Sequence, residues 1–114
     1  MEIKIGGAYR DIVLGLQSAD HYVQSMMQPY PPFYGAIVGP HAGRIAHGYW
    51  PNSDVILQAN DGPHHLHGAS GSLSRLHWEV GGPVQKDRIT LRCKTKTGVA
   101  GYPGSLEATV TYTL

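Results

Sequence analysis

The sequence predicts an all-β fold, an antiparallel sandwich or barrel, and three observations carry that prediction. Two segments in the carboxy-terminal third alternate apolar and polar residues with period two. Fifteen glycines and eight prolines in 114 residues leave little room for long helices. The connections between candidate strands are rich in glycine, histidine and proline rather than in helix formers.

From the amino end, Asp11 to Leu16 (DIVLGL) is a short apolar run suited to a strand. The segment Ser18 to Gln28 has room for one or two helical turns. Pro29, Pro31 and Pro32 end it, because proline lacks a backbone donor and restricts the residue before it. Tyr34 to Val38 and Asp54 to Ala59 are further candidate strands, separated by the glycine- and histidine-rich connection Gly39 to Gly48. In the next strand Ile89, Leu91 and Cys93 alternate with Arg88, Thr90, Arg92 and Lys94, which gives one wet face. In the last, Leu106, Ala108, Val110, Tyr112 and Leu114 fall on one side, with Glu107, Thr109, Thr111 and Thr113 on the other. Gly98 to Gly104, with three glycines and Pro103, is the loop between these two. Leu114 is still in phase with its strand. The sequence is therefore read as one partial domain, residues 1–114, against the alternative of a complete small sandwich that ends on an edge strand.

Charge and cysteine content narrow the function. Nine Lys and Arg against eight Asp and Glu give a net charge of +1, and charged residues make up 15% of the chain. No basic stripe is present, so a nucleic-acid partner is not expected. No apolar run reaches the ~20 residues of a membrane span, and no membrane partner is expected either. The single cysteine, Cys93, cannot form an internal disulfide, which points to a reducing compartment and a cytoplasmic protein.

Seven histidines stand out, three of them in Pro63-His64-His65-Leu66-His67-Gly68. In an extended chain His65 and His67 share a face, a pattern that can hold a metal. A third ligand and a carboxylate should then follow, but the next acid is Glu79 and no histidine follows His77. No metal site is therefore assigned. The competing reading, histidines bonded to loop backbone, is preferred for His41, His64 and His77. Arg44 sits among glycines and apolar residues in Gly43-Arg44-Ile45, apart from any charge run. Its planar fork suits two vicinal hydroxyls or a carboxylate, and it equally suits loop carbonyls. The three Glu and five Asp form no pair suited to glycosidic acid–base chemistry.

These motifs resemble the aldose 1-epimerase (galactose mutarotase) family. The resemblance runs through Asp11-Ile12-Val13-Leu14-Gly15-Leu16, Tyr34-Gly35-Ala36-Ile37-Val38-Gly39 and Arg44-Ile45. It continues in Asn60, His65-Leu66-His67-Gly68, Trp78, Gly101-Tyr102-Pro103-Gly104 and Val110-Thr111-Tyr112-Thr113-Leu114. It implies the amino-terminal part of a large antiparallel β-sandwich, cut short here, that uses no cofactor. It also implies interconversion of the α and β anomers of free aldohexoses such as galactose and glucose. In the family a general base, Glu, takes the anomeric proton and a general acid, His, serves the ring oxygen. Both lie outside the region matched, so no catalytic residue is assigned here. Arg44 and His67 are the expected contacts to sugar hydroxyls. The sequence departs from the family pattern at Pro40 (usually Arg), Gly43 (usually Asn) and Ala69 (usually Gly). The alternative expectation is a non-catalytic carbohydrate-binding or assembly module completed by another chain, with self-association through an open sheet.

Overall fold

The computed structural model describes residues 2–114. Its regular structure is strand and short 3₁₀ turn with one α-helix, so the all-β expectation holds. The chain forms two compact units, the first ending at Ile37 and the second running Val38–Leu114.

In the first unit β1 (Glu2–Ile5) and β2 (Ala8–Asp11) pair as an antiparallel hairpin. The turn is Gly6-Gly7, with φ of 58° and 87°. Two consecutive positive φ values are what a tight hairpin between twisted strands requires, and glycine supplies them without steric cost. This hairpin is new relative to the sequence reading, although Gly-Gly between alternating residues was its signal. The apolar run Asp11 to Leu16 is not a strand beyond Asp11. Its backbone donors go to side chains instead: Val13 N–H to Asp11 Oδ1 and Leu16 N–H to the Tyr22 hydroxyl. The helix α1 (Ala19–Met26) lies inside the segment expected to turn. Ser18 caps it, its hydroxyl accepting from His21 N–H at 3.3 Å. Tyr34 to Val38 also fails as a strand, because Ala36 N–H closes a turn onto Phe33 O at 3.1 Å.

In the second unit β3 (Arg44–Ile45) pairs with β4 (His65–Leu66), and β5 (Glu79–Val80), β6 (Arg88–Lys94) and β7 (Glu107–Thr113) form a three-stranded antiparallel sheet. The period-two reading of the last two long strands holds in register. Ile89 faces Tyr112, Leu91 faces Val110 and Cys93 faces Ala108 on the covered side. Thr90 and Thr111 bond through their hydroxyls at 3.0 Å on the wet side. Leu106 and Leu114 lie outside β7 and are exposed.

Asp54 to Ala59 is a correction of a different kind. The segment makes one isolated antiparallel bridge, Ile56 to Tyr49, and does not pair further. Trp50 N–H donates to Val55 O, Leu57 N–H to Gly48 O, and Gln58 N–H to Ala100 O. It threads between loops and builds no ladder. Leu57 is nearly fully buried there, beside Ile45, Ala69, Leu73, Cys93 and Ala100 among the buried apolar residues.

Candidate functional site

The site is built on the β3–β4 hairpin. Arg44 is the register partner of Leu66, and Ile45 of His65. Alternation then divides the two pairs between faces. Ile45 and His65 are buried, whereas Arg44 is exposed and Leu66 partly so.

His65 is fully buried, at 0% exposure. Its Nδ1 lies 2.7 Å from Gln58 O and its Nε2 2.9 Å from the Tyr102 hydroxyl. A carbonyl only accepts, so Nδ1 carries a proton, and in the neutral ring Nε2 accepts from Tyr102. Burial pushes the Tyr102 phenol up, which favours the protonated donor form. With both nitrogens engaged, His65 is a pillar joining Gln58 to the Gly101-Tyr102-Pro103-Gly104 loop. It has no ring nitrogen left for a metal.

His67 does not share a face with His65 in the way an extended segment would allow. Its φ is 54°, and Gly68 and Ala69 follow at 87° and 49°, three consecutive left-handed residues. That turn carries the ring back onto Gly43. Gly43 N–H donates to His67 Nδ1 at 3.1 Å, and His67 N–H donates to Gly43 O at 3.2 Å. Because Nδ1 accepts, the neutral ring carries its proton on Nε2. Burial first, then the positive charges of Arg44 and His41, push the imidazole below its ordinary value of 6.5. Arg44 and His67 are thus brought within electrostatic reach of each other, with His41 beside them.

Two residues that the sequence reading gave no role complete this surface. Asp61 Oδ2 accepts from Arg44 Nε at 2.5 Å. Asn60 clamps β4, its Nδ2 donating to Leu66 O at 3.1 Å and its Oδ1 accepting from Leu66 N–H at 2.7 Å. In the sequence Asn60 stands out only as part of a motif, and Asp61, its neighbour, gives no separate signal. Their partners lie six and 17 positions away, beyond what local pattern can reveal.

The remaining histidines separate. His64 Nδ1 accepts from His47 N–H at 3.2 Å, the backbone role expected of it. His41 instead packs edge-on to Trp50, with ring centroids 6.4 Å apart. His77 is exposed and borders a cavity of about 370 Å³ with Glu79, Arg92, Cys93, Lys94 and Glu107. A smaller, mostly apolar cavity of about 200 Å³ is bounded by residues including Pro40, Trp50, Tyr102 and Leu106. Arg44 and His67 line neither of these two cavities; the Arg44 side chain is largely exposed and His67 is half-buried. Among the described residues no group of three His, Cys, Asp or Glu could hold a metal ion, and no helix is long and apolar enough to cross a membrane.

Comparison with known proteins adds a lineage to this geometry. A family model described as aldose 1-epimerase matches residues 1–114. The chain is 34% identical over 110 residues to galactose mutarotase of Sus scrofa, covering 95% of this chain and 30% of that protein. It is 32% identical over 111 residues to aldose 1-epimerase of Escherichia coli (strain K12), with the same coverage. Among solved structures, a GalM/aldose epimerase homologue from C. elegans aligns with a TM-score of 0.76 at 27% identity, covering 95% of this chain and 32% of that one. Galactose 1-epimerase from Lactobacillus acidophilus NCFM aligns with a TM-score of 0.69 at 28% identity, over 88% of this chain and 30% of the other. The chain therefore spans about 30% of the length of the curated relatives it matches.

Proposed function

Given that the chain belongs to the aldose 1-epimerase family, we propose that it supplies sugar-binding groups of an aldose 1-epimerase, with Arg44 and His67 as the contacts to ring hydroxyls. One observation carries this reading. Arg44 stands on the β3–β4 hairpin with its side chain largely exposed, and His67 follows β4 directly, with Nδ1 accepting from Gly43 N–H and its pKa lowered in part by the Arg44 charge. A neutral imidazole and a fixed guanidinium both donate to hydroxyl oxygens, the recognition that a free aldohexose requires.

The whole-protein activity that accompanies this reading is interconversion of α and β anomers without a cofactor. It needs one group to take the anomeric proton and another to protonate the ring oxygen. We assign neither to this chain: Arg44 and His67 bind and orient, and the acid and base belong to the part of the relatives beyond the matched region. A cytoplasmic location belongs to the same proposal, supported by the lone, buried Cys93. So does self-association through β7, which is an edge strand of its sheet.

Polarimetry on freshly dissolved α-D-galactose tests the reading together with galactose titration of the chain. The expected result is measurable galactose binding that Arg44→Ala abolishes, with no acceleration of mutarotation over buffer. Acceleration lost in Arg44→Ala would place catalysis in this chain. Binding unaffected by both Arg44→Ala and His67→Phe would remove the site.

A further inference from the structure

Asp61 meets Arg44 in a way that decides which part of the guanidinium remains available. Each partner is held from behind. Arg44 is fixed by strand pairing with Leu66, and Leu66 is clamped on both its backbone groups by Asn60. Asp61 opens the turn Asp61-Gly62-Pro63-His64, bonded to His64 in both directions: Asp61 N–H to His64 O at 3.1 Å and His64 N–H to Asp61 O at 3.0 Å. Asp61 therefore stands on one short scaffold, residues 60 to 66, and Arg44 is held across from it on β3 by pairing with that same scaffold.

The contact itself is selective. The carboxylate takes Nε, and the two terminal nitrogens of Arg44 make no hydrogen bond among the described residues. The Arg44 side chain is 59% exposed, so without a tether its four side-chain torsions would sample many rotamers. A bond at Nε fixes the plane of the guanidinium and leaves its far edge, Nη1 and Nη2, as a two-pronged donor. The same carboxylate also offsets the positive charge. A compensated guanidinium binds a neutral diol through hydrogen-bond geometry, whereas a bare one favours anions.

We propose that Asp61 is a positioning residue that aims Arg44 at two adjacent hydroxyls and biases the site toward neutral sugars over anionic ones. The proposal rests on the reading of Arg44 as a sugar contact and names what sets its ligand class. Asp61 acts through Arg44 and is not itself assigned a contact to the sugar.

The test is a pair of titrations of the full chain, with D-galactose and with D-galacturonate, on the parent, Asp61→Asn, Arg44→Ala and the double variant. Asparagine keeps the shape and the main-chain turn while removing the charge. Losing an exposed tether of this kind weakens galactose binding by roughly fivefold in Asp61→Asn. Galacturonate binding stays level or tightens, so the ratio between the two ligands falls by about fivefold or more. The double variant behaves as Arg44→Ala alone, since the aspartate acts only through the arginine. The ¹⁵N–¹H resonance of Arg44 Nε, read without sugar, reports the tether directly and shifts in Asp61→Asn. Galactose binding lost in Arg44→Ala but unchanged in Asp61→Asn would overturn the positioning role and leave the sugar site standing. An equal loss of both ligands in Asp61→Asn would overturn the selectivity. Failure of the parent to bind galactose would overturn the sugar site and this proposal with it, and an Nε resonance unmoved by Asp61→Asn would remove the tether itself.

Discussion

Gly43 and His67 hold each other twice, the glycine N–H donating to the imidazole Nδ1 at 3.1 Å and the histidine N–H donating to the glycine carbonyl at 3.2 Å. The first bond exists only while Nδ1 is unprotonated. Burial and the charges of Arg44 and His41 already push the ring below its ordinary value of 6.5. Between that lowered folded value and 6.5, the unfolded chain binds more protons than the folded one, so stability falls as pH falls through this window. His67 should titrate below 6.5 by NMR, and urea midpoints should drop on acidification in the parent more than in His67→Phe. A His67 resonance titrating at or above 6.5 would contradict this.

The His65–Tyr102 pair gives a stability prediction. Tyr102→Phe leaves a ring nitrogen of a fully buried histidine without its partner. An orphaned buried polar group costs about 1–3 kcal/mol. Urea unfolding should show that loss with little change in slope. An unchanged midpoint would mean that Tyr102 contributes packing alone.

Adjacent residues in the left-handed turn should respond differently to swaps between glycine and alanine. A Cβ on Gly68, at φ 87°, would collide with Gly39 O and approach Pro40 Cδ and Ser72 Cα to 2.9 Å. Gly68→Ala combines that overlap with backbone strain and should cost roughly 2–4 kcal/mol. Ala69, at φ 49°, already bears a similar strain where the family usually has glycine. Ala69→Gly relieves about 1–2 kcal/mol of left-handed strain. It also loses a buried methyl of about 0.8 kcal/mol and adds chain entropy to the unfolded state. The net shift should stay within about 1 kcal/mol. Thermal unfolding of the two variants beside the parent checks the contrast, and equal effects would refute it.

The strand β7 offers a prediction about association. It bonds β6 along one edge, and among the described residues no strand pairs its other edge. Ala108, Val110 and Tyr112 are only partly covered, and Leu106 and Leu114 beside the strand are exposed. An open edge next to apolar side chains favours pairing between chains. Sedimentation velocity should show a weight-average mass that rises with concentration, reduced by a charge at the edge such as Thr111→Lys. A concentration-independent monomer would show that this edge is adequately protected.

What the sequence determined by itself is the part governed by local chemistry. The period-two alternation of Arg88 to Lys94 and of Glu107 to Thr113 fixed both strands and their covered faces, because each side chain alternates sides wherever a chain is extended. Ser18 and the prolines after Gln28 bracketed α1 for equally local reasons. The motif resemblance was likewise legible, and the family match over residues 1–114 agrees with it. Tertiary structure alone decided the rest. Asp11 to Leu16 and Asp54 to Ala59 look like strands, but donors of the first found side chains and the second pairs only at one Tyr49–Ile56 bridge, because strand formation depends on an available partner. His65 and His67 differ by two positions and would share a face in any extended chain. Three left-handed residues from His67 onward undo that, stabilised by bonds to Gly43, 24 positions away. Asp61 reached Arg44 across 17 positions for the same reason. Side-chain type is written in the sequence, but which donor meets which acceptor depends on loops closed over distances that no local pattern spans.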